Sequence, residues 1–327
     1  MTDELKEVNE VREHLIDLRQ QVQAGSVLQS LGNRLGQILD QLPVNEATLV
    51  NLPDDQDGIK ALIETLNQSV RKPDQFSVSD EQLLALVNHL GSPDRDIRDQ
   101  GIYYFFNDAL QRHVLSESQL KLVFNALLQD RILFSHITEP TNDGIFGRSF
   151  AILILSILLY ADRVDEQFLT PAMIDRLVIQ TMTYLALEND ARGFVGTQGW
   201  AHAYTHIGNL LDELAESPIL SRADKVLLMV ELIQKYARLK MPLIFGEDRR
   251  LAMYFNTILN KNELYVQTFL HEWRFWRAQI GMASAPTEEK QWHGLFNRSR
   301  LVLAMAVQDD LPEAVAEMIT AEINFLT

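Results

Sequence analysis

The chain of 327 residues contains no cysteine, which excludes a disulfide scaffold, a thiolate metal site and cysteine nucleophile chemistry. Glycine and proline are scarce, at 15 and 10 residues, too few for a linker-rich or disordered protein. Cations are outnumbered: 29 Lys+Arg against 45 Asp+Glu leave a formal net charge of −16. Each phosphate contact needs a local cation, so this balance argues against nucleic acid as a partner. The acidic start at 1–7 lacks the basic-then-apolar order of a signal peptide. The longest apolar stretch, 150–161, is broken only by Ser156 and falls short of the ~20 residues that cross a bilayer. A cytoplasmic protein with no membrane partner is therefore expected, with a fully buried helix at 150–161. Without a secretory signal, the sequons at Asn67 and Asn297 read as chance matches.

Sustained period-two alternation is also missing, and nearly every long segment has helical spacing instead. Helix starts are signalled by Ser92-Pro93 and Thr170-Pro171, an N-cap followed by proline. Ser116 with Gln119 has capping-box spacing, and Ser221 with Asp224 an imperfect form of it. The spacing predicts helices near 59–71, 80–90, 94–113, 117–134, 145–162, 171–188, 199–216, 222–240, 247–260, 262–279, 288–308 and 312–325. Short connections make neighbouring helices antiparallel.

The stretch 83–109 resembles a HEAT-type unit, with a leucine-rich helix, the turn Gly91-Ser92-Pro93-Asp94, then a helix carrying Asp96, Arg98 and Gly101. Helix pairs recur at ~40-residue intervals, the period of such units. The expected fold is all-α: an α–α superhelix of antiparallel helix pairs, HEAT/ARM-like, over 76–327, with a compact helical bundle as the alternative. Stacked pairs bury their apolar faces and leave a curved groove. Residues 1–75 read as an N-terminal helical cap, opened by an amphipathic helix with Leu5, Val8, Leu15, Leu18 and Val22 on one face.

The densest unusual stretch is 190–206. Gly199-Trp200-Ala201-His202-Ala203, followed by His206 and by Asn209 through Leu214, resembles the central motif of an uncharacterised bacterial family, domain of unknown function twenty-seven eighty-five. So do Ser92 through Asp99, Arg148-Ser149-Phe150 with 159–163, and Gly246-Glu247-Asp248-Arg249-Arg250-Leu251. The resemblance covers roughly 80–255, and it implies an all-helical protein with no established activity and no catalytic residues to transfer. Asn209 stands where the family pattern has Asp, which puts a carboxylate role at that position in doubt.

Read from the residues alone, His202, His206, Asn209 and Glu213 fall within about 60° of one another on a helical wheel, a stripe suited to a groove wall. Trp200 falls on the other side. Two histidines at i and i+4 can share a metal ion, but chance alone places about 0.2 such pairs in this composition. Glu213 lies ~16 Å along the axis from His202, beyond reach of the same ion. No metal or cofactor is assigned. The loop Gly193-Phe194-Val195-Gly196-Thr197-Gln198-Gly199 matches no phosphate-loop pattern; it precedes a helix N-terminus that, with Arg192, offers a place for an anion. Arg98-Asp99, Arg148, Asp162-Arg163 and Asp248-Arg249 read as ion-pair ladders between repeats, or as a ring of charges at one end of the groove.

The candidate ligand contacts are thus Arg148, Arg192, Trp200, His202, His206, Asn209, Asp248 and Arg249. No nucleophile stands out: Ser149 lacks the Gly-x-Ser-x-Gly setting. Two functions remain. One is a helical-repeat protein binding a peptide, a protein segment or a small anionic ligand in its groove. The other is a hydrolase-like or metal-assisted enzyme using His202 and His206.

Overall fold

Small polar side chains that accept from free backbone amides set where many helices begin. Ser79 with Gln82 and Ser116 with Gln119 form complete capping boxes at helices Asp80–Asn88 and Glu117–Leu127. Thr170 Oγ1 accepts from Met173 N (3.3 Å) at the start of helix Pro171–Leu187, and Ser221 Oγ accepts from Asp224 N (3.1 Å) at Arg222–Arg238. At 92–95 the cap differs from the sequence expectation. Helix Arg95–Ile97 is capped by Asp94, which takes Asp96 N at 2.9 Å. Ser92 instead accepts from Asp94 N and donates to Asp55.

This computed structural model describes residues 3–325. Met1, Thr2, Leu326 and Thr327, at the ends of the segments 1–75 and 76–327, lie outside the described residues. The chain is all-α. Among the described residues the β structure is one two-stranded antiparallel hairpin, Phe194–Val195 with Gly199–Trp200. Contacts divide the chain into two compact units. One comprises 44–180 with 192–210; the other is built from the chain up to Pro43, Thr181–Ala191, and the chain from Leu211 onward. Neither coincides with 1–75 or 76–327.

In the first unit, helix Gly144–Ala161 is buried on nearly every side, as its long apolar run, broken only by Ser156, requires. The stretch Gly144–Glu166 is long and apolar enough to cross a membrane, yet 83% of its most apolar window is buried inside the protein. Two glycines allow its close crossing with the turn His89–Gly91: a Cβ on Gly147 would lie 3.4 Å from the Gly91 Cα. The expected helix over 94–113 is interrupted. A π-turn, Arg98–Tyr103, joins Arg95–Ile97 to Tyr104–Gln111, a local widening often found near functional positions. Gly101 sits in it where the helix crosses Ile63, and a Cβ there would come within 2.9 Å of the Ile63 Cγ2.

In the second unit, helix Asp3–Gln23 buries Val8, Val11, Leu15, Leu18 and Val22 and packs on helix Arg222–Arg238. Arg19 grips Asp224 through two bonds of 2.6 and 3.2 Å, the bidentate geometry that favours arginine over lysine. Asn297, one of the two sequon asparagines, is fully buried; it accepts from Leu243 N and donates to the Met241 carbonyl.

Candidate functional site

The distinctive stretch at 190–206 folds as a hairpin, not as a helical extension. Gly196 and Gly199 hold φ values of +46° and +80°, the left-handed region that glycine enters at least cost. They turn the chain so that Phe194 pairs with Trp200 and Val195 with Gly199. The ladder continues past the strands: Ala201 N donates to the Gly193 carbonyl (2.8 Å) and His202 N to the Arg192 carbonyl (3.2 Å). His202 itself has φ +53°. Helix Ala203–Glu216 therefore begins four residues later than the expected 199. The predicted stripe through His202, His206 and Asn209 is broken at its first member, because a left-handed residue lies outside the helical wheel.

Buried Arg98 holds the hairpin from below. Its Nη2 donates to the carbonyls of Gln198 (2.8 Å) and Trp200 (3.3 Å), and its Nη1 to the Ser92 carbonyl (2.7 Å). Nε lies 2.8 Å from Asp99 Oδ1. The guanidinium plane sits over the rings of Phe146 (4.3 Å) and Phe150 (4.8 Å), so a dehydrated cation is offset by a carboxylate, three carbonyls and two π-faces. Gln198 Nε2 adds a bond to Asp143 Oδ2 at 3.0 Å. The Asp99 carboxyl is pushed up by burial, against the pull of Arg98.

On top of this base, Phe194 and Trp200 are 44% and 37% exposed. They meet edge to face, with ring centroids 4.9 Å apart. The indole also stacks on His202, at 4.1 Å and 7° between planes. Burial holds the His202 imidazole down to about 4. His206 is only 6% exposed. Its Nδ1 lies 3.0 Å from the Ser149 carbonyl, which can only accept, so that nitrogen carries the hydrogen. Phe150 meets its ring edge to face at 5.1 Å. Burial, with smaller contributions from His202 and Arg98, outweighs the Ser149 carbonyl and pushes this imidazole down to about 3. The sequence reading set both rings on a groove wall; here His206 is a core residue and His202 is half-buried beneath Trp200. The two ring centroids are 5.9 Å apart, and no group of three His, Cys, Asp or Glu among the described residues is placed to hold a metal ion.

Arg148 and Arg192 converge on Asn142. Arg148 is buried and donates to the Ser135 carbonyl (2.6 Å) and to Asn142 Oδ1 (3.3 Å). Arg192 is half-buried, donates to the Asn142 carbonyl (2.6 Å) and stands 3.9 Å from Asp143 Oδ1. Asn209 is half-buried on the helix after the hairpin. Six of the eight candidate residues therefore share the unit that holds the hairpin. Asp248 and Arg249 belong to the other unit, in the first turn of helix Glu247–Leu259, and Arg249 is exposed. The arrangement also brings in residues that the site prediction left out: Arg98, Phe194, Gln198 and Asp143. The sequence places Arg98 in the HEAT-type unit, in the family-like stretch and in an Arg-Asp pair, but nothing local ties it to carbonyls 100 and 102 positions away.

The fold and this site define an all-α protein that carries a glycine-turned aromatic hairpin on a buried arginine. A family model described as "Protein of unknown function (DUF2785)" matches residues 133–307, and the chain belongs to that family. The matched span holds the core helix, the hairpin and both histidines; Arg98 precedes it. No curated protein and no solved structure matches the chain.

Proposed function

We propose that the protein is a binding protein for a protein segment, an extended peptide that docks on the Phe194–Trp200 hairpin. The observation that carries this reading is the pairing of exposure above with rigidity below. Two large aromatic side chains stand in solvent, while the backbone beneath them is fixed by Arg98 and Gln198. Aromatic anchors dominate binding hot spots, and a platform ordered in advance loses little entropy on association.

The anionic-ligand alternative draws less support, because Arg192 already donates to the Asn142 carbonyl and has the Asp143 carboxylate 3.9 Å away, which offsets its charge. The hydrolase-like alternative asks a histidine to act as a base near neutral pH. An imidazole held down to about 3 and bonded to a carbonyl is a weak base in an enclosed place.

The test is selection from a displayed peptide library on the intact protein, followed by affinity measurement on Trp200→Ala and Phe194→Ala. The reading expects peptides whose affinity drops at least tenfold in both variants while far-ultraviolet circular dichroism is unchanged. Selected peptides that bind both variants as well as the parent would place recognition elsewhere and defeat it.

A further inference from the structure

Helix Glu289–Ala306 lies in the unit that does not hold the hairpin. Its inner face is core, with Asn297, Arg298, Leu301, Val302, Ala304 and Met305 buried. At about 100° per residue, the direction opposite these six runs through Trp292, Phe296, Ser299, Leu303, Ala306 and Val307. Four of them are large and stand in solvent: Trp292 is 46%, Phe296 55%, Leu303 52% and Val307 73% exposed. A surface helix ordinarily turns charged and polar side chains that way. Here the two arginines of the same stretch turn elsewhere. Arg298 is buried, while Arg300 donates from Nε to the Leu243 carbonyl (2.9 Å) and from Nη2 to Asn297 Oδ1 (3.0 Å).

The chain beside the helix widens this apolar face. Leu243 N donates to Asn297 Oδ1 at 2.9 Å, so the loop before helix Glu247–Leu259 lies along the flank of helix Glu289–Ala306. Two exposed side chains, Ile244 and Phe245, follow directly in that loop. With the four on the helix they leave roughly 700 Å² open, close to the ~800 Å² that one partner gives a standard interface. The largest apolar patch on an ordinary monomer is about 300–600 Å².

The order of residues along the stripe specifies the occupant. From Trp292 to Ala306 the steps are four, three, four and three residues, the repeat of a coiled-coil seam. Reversed end for end, the stripe matches itself. Trp292 and Ala306 each stand seven residues from Ser299, and Phe296 and Leu303 stand three and four away. An antiparallel copy crossing at Ser299 thus sets Trp292 on the partner's Ala306 and Phe296 on the partner's Leu303. Largest meets smallest, and two serines at the crossing let the backbones approach. Such self-complementarity is what a two-fold interface requires. We propose that this face pairs with the same face of a second copy of the chain, the helices antiparallel about a two-fold axis at Ser299. Glu289 then faces the partner's Asp309, and each copy carries a net charge of −16, so salt should tighten the pair by screening both repulsions. No hairpin residue takes part, and the inference is independent of the peptide-docking reading.

The test is sedimentation equilibrium of the full-length protein over micromolar concentrations at low and high salt. The proposal expects a monomer–dimer equilibrium that tightens with salt, and at least a tenfold weaker one in Phe296→Asp and in Leu303→Asp. Both positions are exposed, so far-ultraviolet circular dichroism should not change. Because the chain has no cysteine, Ser299→Cys and Glu289→Cys each place a single thiol. A short bis-maleimide should join two copies of Ser299→Cys at the axis. It should fail with Glu289→Cys, whose two thiols lie ~30 Å apart in the antiparallel pair. The proposal is overturned if the parent stays monomeric at every concentration; a monomer that floats with phosphatidylglycerol vesicles gives the face to a lipid surface instead. It is equally overturned if salt dissociates the dimer, or if Phe296→Asp and Leu303→Asp associate as tightly as the parent. Cross-linking of Glu289→Cys to itself as readily as Ser299→Cys also overturns it.

Discussion

Arg98 and Trp200 are joined across 102 positions of sequence by a bond from the buried guanidinium to the Trp200 carbonyl, 3.3 Å long, with the Gln198 carbonyl 2.8 Å from the same nitrogen. The fork that makes this possible reaches the Ser92 carbonyl with its other arm. Exposure of the indole thus depends on a cation that water does not reach.

Lysine cannot copy that fork, since one ammonium cannot span both the Ser92 carbonyl and the hairpin carbonyls. Arg98→Lys should destabilise the protein by about 3 kcal/mol, the range for breaking a buried charge cluster, as read from urea midpoints. Arg98→Met removes the donors and leaves Asp99 and three carbonyls unpaired, so it should cost at least as much. A loss below about 0.5 kcal/mol in both variants would show that the hairpin does not depend on the clamp.

The two hairpin glycines should respond differently to alanine. Both have positive φ, which costs a side chain about 1 kcal/mol. At Gly199 the new Cβ also lies 3.0 Å from Arg95 Cβ and 3.4 Å from Arg98 Nη2, whereas nothing lies within 4 Å at Gly196. Gly199→Ala should therefore lower the thermal midpoint clearly more than Gly196→Ala. Equal shifts would mean that packing under the hairpin is looser than the geometry requires.

His206 links stability to pH. Its ring is held down to about 3 in the folded protein, while the unfolded chain titrates near 6.5. Between those values the unfolded state binds the extra proton, so stability declines as pH falls from about 6.5 toward 3 and is unaffected by this group above neutrality. His206→Asn keeps a donor for the Ser149 carbonyl and cannot titrate. Its stability relative to the parent should improve steadily over that descent, measured by urea unfolding at stepped pH. A difference that stays constant with pH would put the ring in contact with water.

A buried acid in the other unit has the opposite sign. Glu231 is fully buried, and neither carboxyl oxygen has a hydrogen-bond partner. Burial raises it well above the ordinary glutamate value, against a smaller pull from Lys235. The folded protein keeps the proton that the unfolded chain releases above about 4.5, so this group costs stability as pH rises past that point. Glu231→Gln should be as stable as the parent or more so at pH 7, with the gain fading toward pH 4.5. A loss of about 2 kcal/mol or more would identify an ionised carboxylate that the fold needs.

The helices were legible because their signals are local. Thr170-Pro171 and the Ser116/Gln119 box mark true starts, and the apolar run at 150–161 marks a buried helix. The hairpin was not legible, since two residues per strand are too few for a period-two pattern. Its glycines instead read as a flexible loop before a helix. His202 sat on the helical wheel only because the wheel assumes helical φ, and its backbone is left-handed. The interleaving of the two units rests on contacts between distant segments that no local signal encodes.

The most direct test of the peptide-docking account follows the four indole N–H signals by NMR, with Trp200 assigned through Trp200→Phe, while a selected peptide is added to the ¹⁵N-labelled protein. Trp273 and Trp276 are buried and Trp292 is exposed elsewhere on the chain. The account predicts that the Trp200 signal shifts to saturation while the Trp292 signal stays in place. A Trp292 shift with Trp200 unmoved would contradict it.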